Sequence, residues 1–129
     1  MIYCGIDIIE ISRIKDSVDK FGNQILDKLF TKNEINYCEN FKSNRYEHYA
    51  VRFAAKEAIY KAFSKICDLT WKDVEILNQK SGRPYVEFVY ENFEDRLTAE
   101  IVEMLKKVKI DITLSHNKSQ AIAYVVVEV

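Results

Sequence analysis

The segment RFAAKEAIYKAF, residues 52–63, constrains the fold of this chain most strongly. Its alanines and long unbranched side chains are typical of a helix, which we predict over residues 47–66. On a helical wheel, Glu57 and Lys61 share one face, apolar residues flank them, and a second apolar set fills the opposite side. Because charged side chains lie between two apolar surfaces, we predict a helix packed on two sides, with another subunit as a candidate for one of them.

The Glu57–Lys61 pair has two interpretations. An acid and a lysine at a spacing of i,i+4 commonly form a surface ion pair, which contributes about 0.2–0.5 kcal/mol. The neighbouring Phe53, Ala54 and Tyr60 instead favour a partly buried carboxylate. Such a carboxylate needs a cation, since burying an unpaired charge is costly.

The other segments predict an α+β fold, with a mainly antiparallel sheet packed against the long helix and several shorter helices. TKNE, residues 31–34, matches a capping box and predicts a short helix that runs through Cys38. KSGR, residues 80–83, predicts the turn of a hairpin. Apolar patterns predict strands at residues 1–9, 71–77, 84–90, 111–115 and 121–129, and further helices at 11–21, 24–30 and 93–108.

The totals predict one domain over residues 1–129, with a compact core. The chain has 129 residues, of which 48% are hydrophobic, and only three Gly and one Pro. Its net charge of −1 gives no overall field that would attract nucleic acid or a membrane surface. The three cysteines lack metal-binding spacing, so we expect reduced thiols and a cytoplasmic protein, and no apolar run is long enough for a membrane span.

Asp7 and His116 also interrupt apolar segments. Asp7 lies within GIDIIEI, where an aspartate is either an edge or turn-capping residue or a ligand. His116 ends an apolar strand, where it is either a hydrogen-bonded turn residue or a catalytic group. Together, Asp7 and Glu57 suit Mg²⁺, which takes one or two carboxylates and completes its shell with water and phosphate oxygens. Lys61 would then neutralise a phosphate beside the metal.

Further cations lie in or near the same predicted elements, namely Arg45, Arg52, Lys56, Lys80 and Arg83. Gly82 provides a turn whose backbone can approach a ligand closely. The chain has neither a Walker loop nor a G-x-G-x-x-G motif, which excludes the common nucleotide-binding folds. The residues by themselves therefore predict a metal-assisted phosphate or pyrophosphate site.

These segments resemble the holo-acyl-carrier-protein synthases, the small bacterial 4′-phosphopantetheinyl transferases. The resemblance covers nearly the whole chain, and one departure is SKICDL, residues 64–69, where many members have a Gly-rich turn. The matching segments are GIDIIEISRI, FTKNEINYC, RFAAKEAIYKAF, WKDVEIL, SGRP and LSHNKSQAIAYVVVE.

The resemblance implies Mg²⁺ and coenzyme A as ligands, and an acidic acyl carrier protein as the acceptor of phosphopantetheine. It implies that Asp7 and Glu57 bind the metal, and that Lys61 and His116 lie close to the phosphates. It places Arg13 against the carrier protein. It further implies a homotrimer with active sites between subunits. The residues expected to bind coenzyme A are Arg45, Arg52, Lys61, Gly82, Arg83, Pro84 and His116.

The implied reaction is attack by a serine oxygen on the β-phosphorus of coenzyme A, with adenosine 3′,5′-bisphosphate as the leaving group. A magnesium ion stabilises charge on the pyrophosphate oxygens. Lys61 and His116 add positive charge or hydrogen bonds, so they are expected to be catalytic together with Glu57. Either Glu57 or a metal-bound water accepts the serine proton.

Three other functions are compatible with parts of the sequence. A broad-range phosphopantetheinyl transferase would have about twice this length, with two such halves in one chain. A non-catalytic coenzyme A-binding module does not need Asp7, Glu57 and Lys61 as a complete set. A structural oligomer would use the charges only in ion pairs.

Overall fold

Five strands and five helices form the fold, and the computed structural model describes every residue from Met1 to Val129. The strands are β1 (Ile2–Glu10), β2 (Val74–Asn78), β3 (Pro84–Phe88), β4 (Lys109–His116) and β5 (Gln120–Glu128). The helices are α1 (Ile11–Phe21), α2 (Asn23–Leu29), α3 (Lys32–Glu39), α4 (Arg45–Phe63) and α5 (Ala99–Leu105).

Both sheets are antiparallel, which confirms the predicted α+β class. The larger sheet has the strand order β1-β5-β4, and the smaller one is the β2-β3 hairpin. In the larger sheet, Asp7 lies opposite Ala123 of β5, and His116 of β4 lies opposite Ala121. The two predicted site residues of this sheet are thus carried by its two outer strands.

Gly5 allows β1 to lie directly against α4. A Cβ atom at this position would overlap with the backbone carbonyl of Ala58 and crowd the backbone nitrogen of Ala62. The absence of a side chain therefore lets strand and helix backbones approach closely. Asp7, two residues further along β1, projects from the same side of the strand and so faces α4.

Helix α4 is buried on two sides, as predicted, but residues of its own chain cover both. Ala54, Ala58 and Ala62 lie in the core shared with the larger sheet, while Tyr49 and Ala50 pack in a second core with α1, α2 and α3. Tyr60, which flanks Glu57 and Lys61, is still 48% exposed, so packing of a second subunit against that flank stays a prediction.

The capping box at Thr31 is confirmed. The Glu34 nitrogen donates to the Thr31 hydroxyl oxygen at 3.3 Å, and the Thr31 nitrogen donates to the Glu34 carboxylate at 2.8 Å. The resulting helix, α3, ends at Glu39, one residue beyond the predicted Cys38. Glu34 is completely buried, so this carboxylate must also be satisfied on its other side.

The predicted helix over residues 93–108 is wrong at both ends, because α5 spans only Ala99–Leu105. Helix α5 begins only after Thr98, whose hydroxyl accepts a hydrogen bond from the Ile101 nitrogen at 3.2 Å. Phe93 is instead buried in the core beside Tyr90 and Phe88, with ring centroids 5.4 and 6.3 Å away. Aromatic packing before the helix and a Thr cap therefore determine where α5 starts.

The other boundaries differ by a few residues. The predicted strand 71–77 begins only at Val74, because Trp71–Asp73 form a 3-10 turn in which the Thr70 nitrogen donates to Asp73 at 2.7 Å. All three cysteines are free thiols. None of the helices combines the length and the apolar character that crossing a membrane requires.

Candidate active site

Lys61 joins β1 to α4. Its ammonium donates to the backbone carbonyl of Ile6 at 2.8 Å and to the carboxylate of Asp7 at 3.1 Å. The Lys61 side chain is 52% exposed and that of Asp7 is 18% exposed, so the pair faces solvent from the lysine side. An ammonium group has three N–H donors, and the third is free to meet an anion.

Glu57 lies one turn before Lys61 on α4, but the two side chains do not form the predicted pair. The Glu57 Oε1 atom instead accepts a hydrogen bond from the indole nitrogen of Trp71 at 2.8 Å, and Lys61 turns to Asp7. Glu57 is half-buried, which favours the partly buried carboxylate over the surface ion pair. Asp7, Lys61 and Glu57 are thereby gathered on one side of the α4–β1 contact.

An open cleft of about 350 Å³ adjoins Glu57. It combines a carboxylate, a hydroxyl and apolar side chains, which is the usual character of a small-molecule site. Its lining residues are Lys56, Glu57, Tyr60, Leu69, Thr70 and Trp71. The cleft therefore gives a ligand direct access to the Glu57 carboxylate.

Lys56 also borders this cleft, but its ammonium is directed into the protein. The group is 2.6 Å from the Glu34 carboxylate and donates to the carbonyls of Trp71 and Val74 at 2.5 and 3.1 Å. Burial lowers the pKa of Lys56, and the Glu34 carboxylate opposes that shift. Its suggested role as a phosphate-binding cation is wrong, because all three donors are already used inside the fold.

His116 lies at the other end of α4. Its Nδ1 atom is 3.8 Å from the Glu47 carboxylate in the first turn of that helix, and its side chain is 41% exposed. Glu57 follows Glu47 by ten residues, which is about 15 Å along a helix. A single chain therefore does not bring His116 together with Glu57.

Arg45 and Arg52 belong to this same end of the helix. Arg45 donates to the Tyr46 hydroxyl at 3.0 Å and lies 3.5 Å from the Glu39 carboxylate. Arg52 is almost completely buried, with its guanidinium 4.2 Å from the Tyr37 ring centroid. Arg45 remains partly open to a ligand, whereas Arg52 points into the protein.

The buried Arg52 supports the predicted coenzyme A turn. Its Nη2 atom donates to the side-chain oxygen of Asn78 at 2.5 Å, and the Asn78 amide donates to the carbonyl of Gly82 at 2.9 Å. Gly82 has φ = 91°, a backbone conformation that favours glycine. Arg83 and Pro84 follow, and Arg83 pairs with the exposed Asp111 at 2.8 Å.

The donors at the α4–β1 contact fit a hard divalent ion. Asp7 and Glu57 supply carboxylate oxygens, and no histidine or cysteine lies among their hydrogen-bond partners. Glu57 Oε2 accepts no hydrogen bond from the protein. No cluster of three or more His, Cys, Asp or Glu side chains could hold a metal alone, so oxygens of water or substrate would complete the shell, as Mg²⁺ requires.

Sequence reasoning missed Trp71 and Glu34. Trp71 is the only tryptophan in the chain, and its distance of 14 residues from Glu57 gives no periodic signal. Glu34 was assigned only to the capping box, because its second partner, Lys56, lies far away in sequence. Arg13, the predicted contact for a carrier protein, is exposed on α1.

Comparisons with known proteins match nearly the whole chain. A model of the 4′-phosphopantetheinyl transferase superfamily matches residues 3–125. The holo-acyl-carrier-protein synthase of Halothermothrix orenii is 44% identical over 125 residues, which cover 96% of this chain and 94% of that protein. The synthase of Ruminiclostridium cellulolyticum is 39% identical, with coverage of 95% and 89%.

Solved structures agree with the fold. The synthase of Bacillus anthracis, in complex with CoA (3′,5′-ADP), superposes with a TM-score of 0.74 at 32% identity, covering 97% of this chain and 94% of that one. The synthase of Helicobacter pylori, in complex with coenzyme A, gives a TM-score of 0.77 at 26% identity, with coverage of 97% and 99%.

Proposed function

The chain belongs to the 4′-phosphopantetheinyl transferase superfamily, and from that premise we propose that it uses Mg²⁺ to transfer 4′-phosphopantetheine from coenzyme A to a serine of an apo acyl carrier protein. It is a transferase of the holo-acyl-carrier-protein synthase type. The product beside the holo carrier is adenosine 3′,5′-bisphosphate. The holo carrier protein then serves fatty acid biosynthesis in the cytoplasm.

The Asp7–Lys61 pair, one helical turn from the Glu57 carboxylate that borders the open cleft, carries this proposal. Two carboxylates and a lysine with a free donor are the groups that a pyrophosphate and its metal require. When bound by Asp7 and Glu57, Mg²⁺ would supply positive charge to the pyrophosphate oxygens.

Lys61 orients and neutralises the phosphates. Its contacts with Ile6 and Asp7 hold the ammonium in place, so little side-chain freedom is lost when a phosphate oxygen binds. The serine oxygen forms a bond to the β-phosphorus while the bond to the bridging pyrophosphate oxygen breaks. The hydroxyl proton leaves to a base in the site, which is either the Glu57 carboxylate or a water molecule beside it.

A homotrimer would complete the site. Ile2, Ile6 and Ile8 alternate along the outer face of β1 and are 67%, 53% and 56% exposed, and Tyr124 opposite Ile6 is 41% exposed. An apolar sheet face of this kind is typical of a surface that another subunit covers. Since His116 is remote from Glu57 within one chain, a neighbouring copy is the natural source of the His116 that reaches the phosphates.

The assembly can be tested with Ile8→Lys, which places a charge on this outer face. We expect light scattering to give a trimer for the wild type and a smaller species for the variant, because burying an unpaired lysine at an interface is unfavourable. A monomeric wild-type protein with full activity would contradict the shared site.

The carrier protein would dock beside α1. Arg13 is exposed there, and an acidic partner would gain from its positive charge chiefly in association rate. The turn of Gly82, Arg83 and Pro84 is expected to line the adenine and ribose, and Arg45 is expected to contact coenzyme A as well.

Intact mass spectrometry of the carrier protein tests the function directly. The purified protein is mixed with Mg²⁺, coenzyme A and an apo acyl carrier protein, with and without a chelator. A mass gain of one phosphopantetheine that the chelator abolishes would support transfer and metal dependence together. Absence of any gain, with coenzyme A still bound, would favour a non-catalytic binding module.

A further inference from the structure

Trp71 is held in place from several directions. Its carbonyl oxygen accepts a hydrogen bond from the buried Lys56 ammonium at 2.5 Å. Its ring stacks on Phe53, with centroids 6.5 Å apart and planes inclined by 27°, and the Lys28 ammonium lies 5.8 Å from the ring centroid. The indole therefore has little freedom to turn, because both its backbone and its ring have partners.

The indole nitrogen uses its single donor on Glu57. The bond to Oε1 is 2.8 Å long and partly buried, and it is the only hydrogen bond from the protein to this carboxylate. A donor fixed to one carboxylate oxygen determines the rotation of the group about its last bond, which is otherwise a soft torsion. The second oxygen, Oε2, is thereby left for another ligand.

We propose that Trp71 is the positioning residue for Glu57: its indole N–H directs the carboxylate so that Oε2 is presented to the divalent ion. The inference rests on the proposed function, in which Glu57 is a metal ligand. Partners that orient a metal ligand from outside commonly contribute 10–100-fold to metal affinity or activity. Trp71 acts through Glu57 and does not itself touch the reacting atoms.

The network that holds Trp71 reaches the core of the protein. Glu34 binds Lys56, Lys56 binds the Trp71 backbone, and the Trp71 side chain binds Glu57. Glu34 also accepts the Ile76 nitrogen at 2.8 Å, which ties the same network to β2. The position of the half-buried Glu57 carboxylate is therefore linked, through Lys56 and Trp71, to the completely buried Glu34 carboxylate.

Trp71→Phe is the sharpest test, because it keeps an aromatic ring for the Phe53 and Lys28 contacts and removes the N–H donor. Titration calorimetry with Mn²⁺, used as the probe ion, should give a dissociation constant about 10–100-fold higher than that of the wild type. The concentration of Mg²⁺ for half-maximal transfer should rise in parallel, while the rate at saturating Mg²⁺ falls less. Equal Mn²⁺ affinities in the two proteins would overturn the proposal.

Phe53→Leu is the matched control, since it removes a stacking partner of the indole and leaves the hydrogen bond in place. Its Mn²⁺ affinity should stay within about twofold of the wild type, whereas a loss as large as that of Trp71→Phe would mean that ring packing alone matters. Because Trp71 is the only tryptophan, its fluorescence reports on the same site. Paramagnetic Mn²⁺ should quench it in the wild type, at much lower concentration than in Glu57→Gln.

The intact-mass assay separates this inference from the proposed function. A wild-type protein that transfers phosphopantetheine and binds Mn²⁺ no more tightly than Trp71→Phe keeps the function and disproves the positioning role. A wild-type protein that transfers nothing and binds no Mn²⁺ disproves the function, and the positioning role with it.

Discussion

Two lysines on α4, five residues apart, form ion pairs in opposite environments. Lys56 and Glu34 are 2.6 Å apart with side chains 1% and 0% exposed, whereas Lys61 and Asp7 are 3.1 Å apart and partly open to solvent. All three N–H donors of Lys56 are used within the fold, on the Glu34 carboxylate and on the carbonyls of Trp71 and Val74. Lys61 keeps one donor free on the solvent side of its pair with Asp7. The environment, and not the residue type, separates the structural cation from the candidate catalytic one.

The largest effect should come from breaking the buried pair. Lys56→Met keeps most of the side-chain volume but leaves Glu34 buried without a cation, so we expect the free energy of unfolding to fall by about 3–5 kcal/mol. Urea denaturation at fixed protein concentration measures this change. Lys61→Met is the matched control and should change stability by no more than about 1 kcal/mol, because its pair is partly exposed.

A double variant tests the same buried Lys56–Glu34 pair in a second way. Glu34→Leu combined with Lys56→Met replaces the buried pair by apolar side chains, and this double variant should recover much of the lost stability. If the double variant is as unstable as Lys56→Met alone, the hydrogen bonds of Glu34 to Thr31 and Ile76 outweigh its pairing with Lys56.

The next largest effect is on activity and comes from the partly exposed Lys61–Asp7 pair. Lys61→Met should lower the rate of phosphopantetheine transfer about 10²-fold, since one preorganised donor to the phosphate is lost. Initial rates of carrier-protein modification, at saturating Mg²⁺ and coenzyme A, provide the measurement. Full activity in a folded Lys61→Met protein would make this ion pair as purely structural as that of Lys56.

The close contact between β1 and α4 gives an intermediate effect on stability. Gly5→Ala would force its new methyl group against the Ala58 carbonyl, and overpacking of this kind typically costs about 1–3 kcal/mol. Because Asp7 lies on the same strand, its separation from Lys61 should also increase, which would lower transfer activity in the folded protein. Unchanged melting temperature and activity would show that strand and helix can move apart freely.

The smallest effect is a pH dependence at the other end of α4. Burial, Arg52 and His116 lower the pKa of His48, and Glu47 opposes them, so the folded state favours the neutral imidazole. Stability is therefore complete above the unfolded value of about 6.5 and decreases as the pH falls below it, until the folded pKa is passed. His48→Gln should flatten the dependence between pH 7 and pH 5, as measured by urea denaturation, while an unchanged slope would exclude His48 as its source.

Local patterns predicted most of the elements correctly. The capping box at Thr31 and the periodicity of α1 place two helix starts within a residue, because such signals act between neighbours in the chain. The prediction that a helix begins at Phe93 was wrong, since Phe93 joins an aromatic cluster formed with Phe88 and Tyr90. Tertiary packing of one large side chain outweighed a helical pattern that was locally sound.

Residue patterns alone were enough to predict the α+β class, the long central helix and the set of acidic and basic residues from which a site could be built. Which of these residues meet became clear from the three-dimensional fold: Lys61 pairs with Asp7, Lys56 with Glu34, and Glu57 with Trp71. Periodicity reports which face of a helix a residue occupies, and three lysines or arginines on one helix look alike by that measure. The carboxylate partners of Lys56 and Lys61 lie 22 and 54 positions away, so burial and approach between distant segments assign the roles of these two lysines.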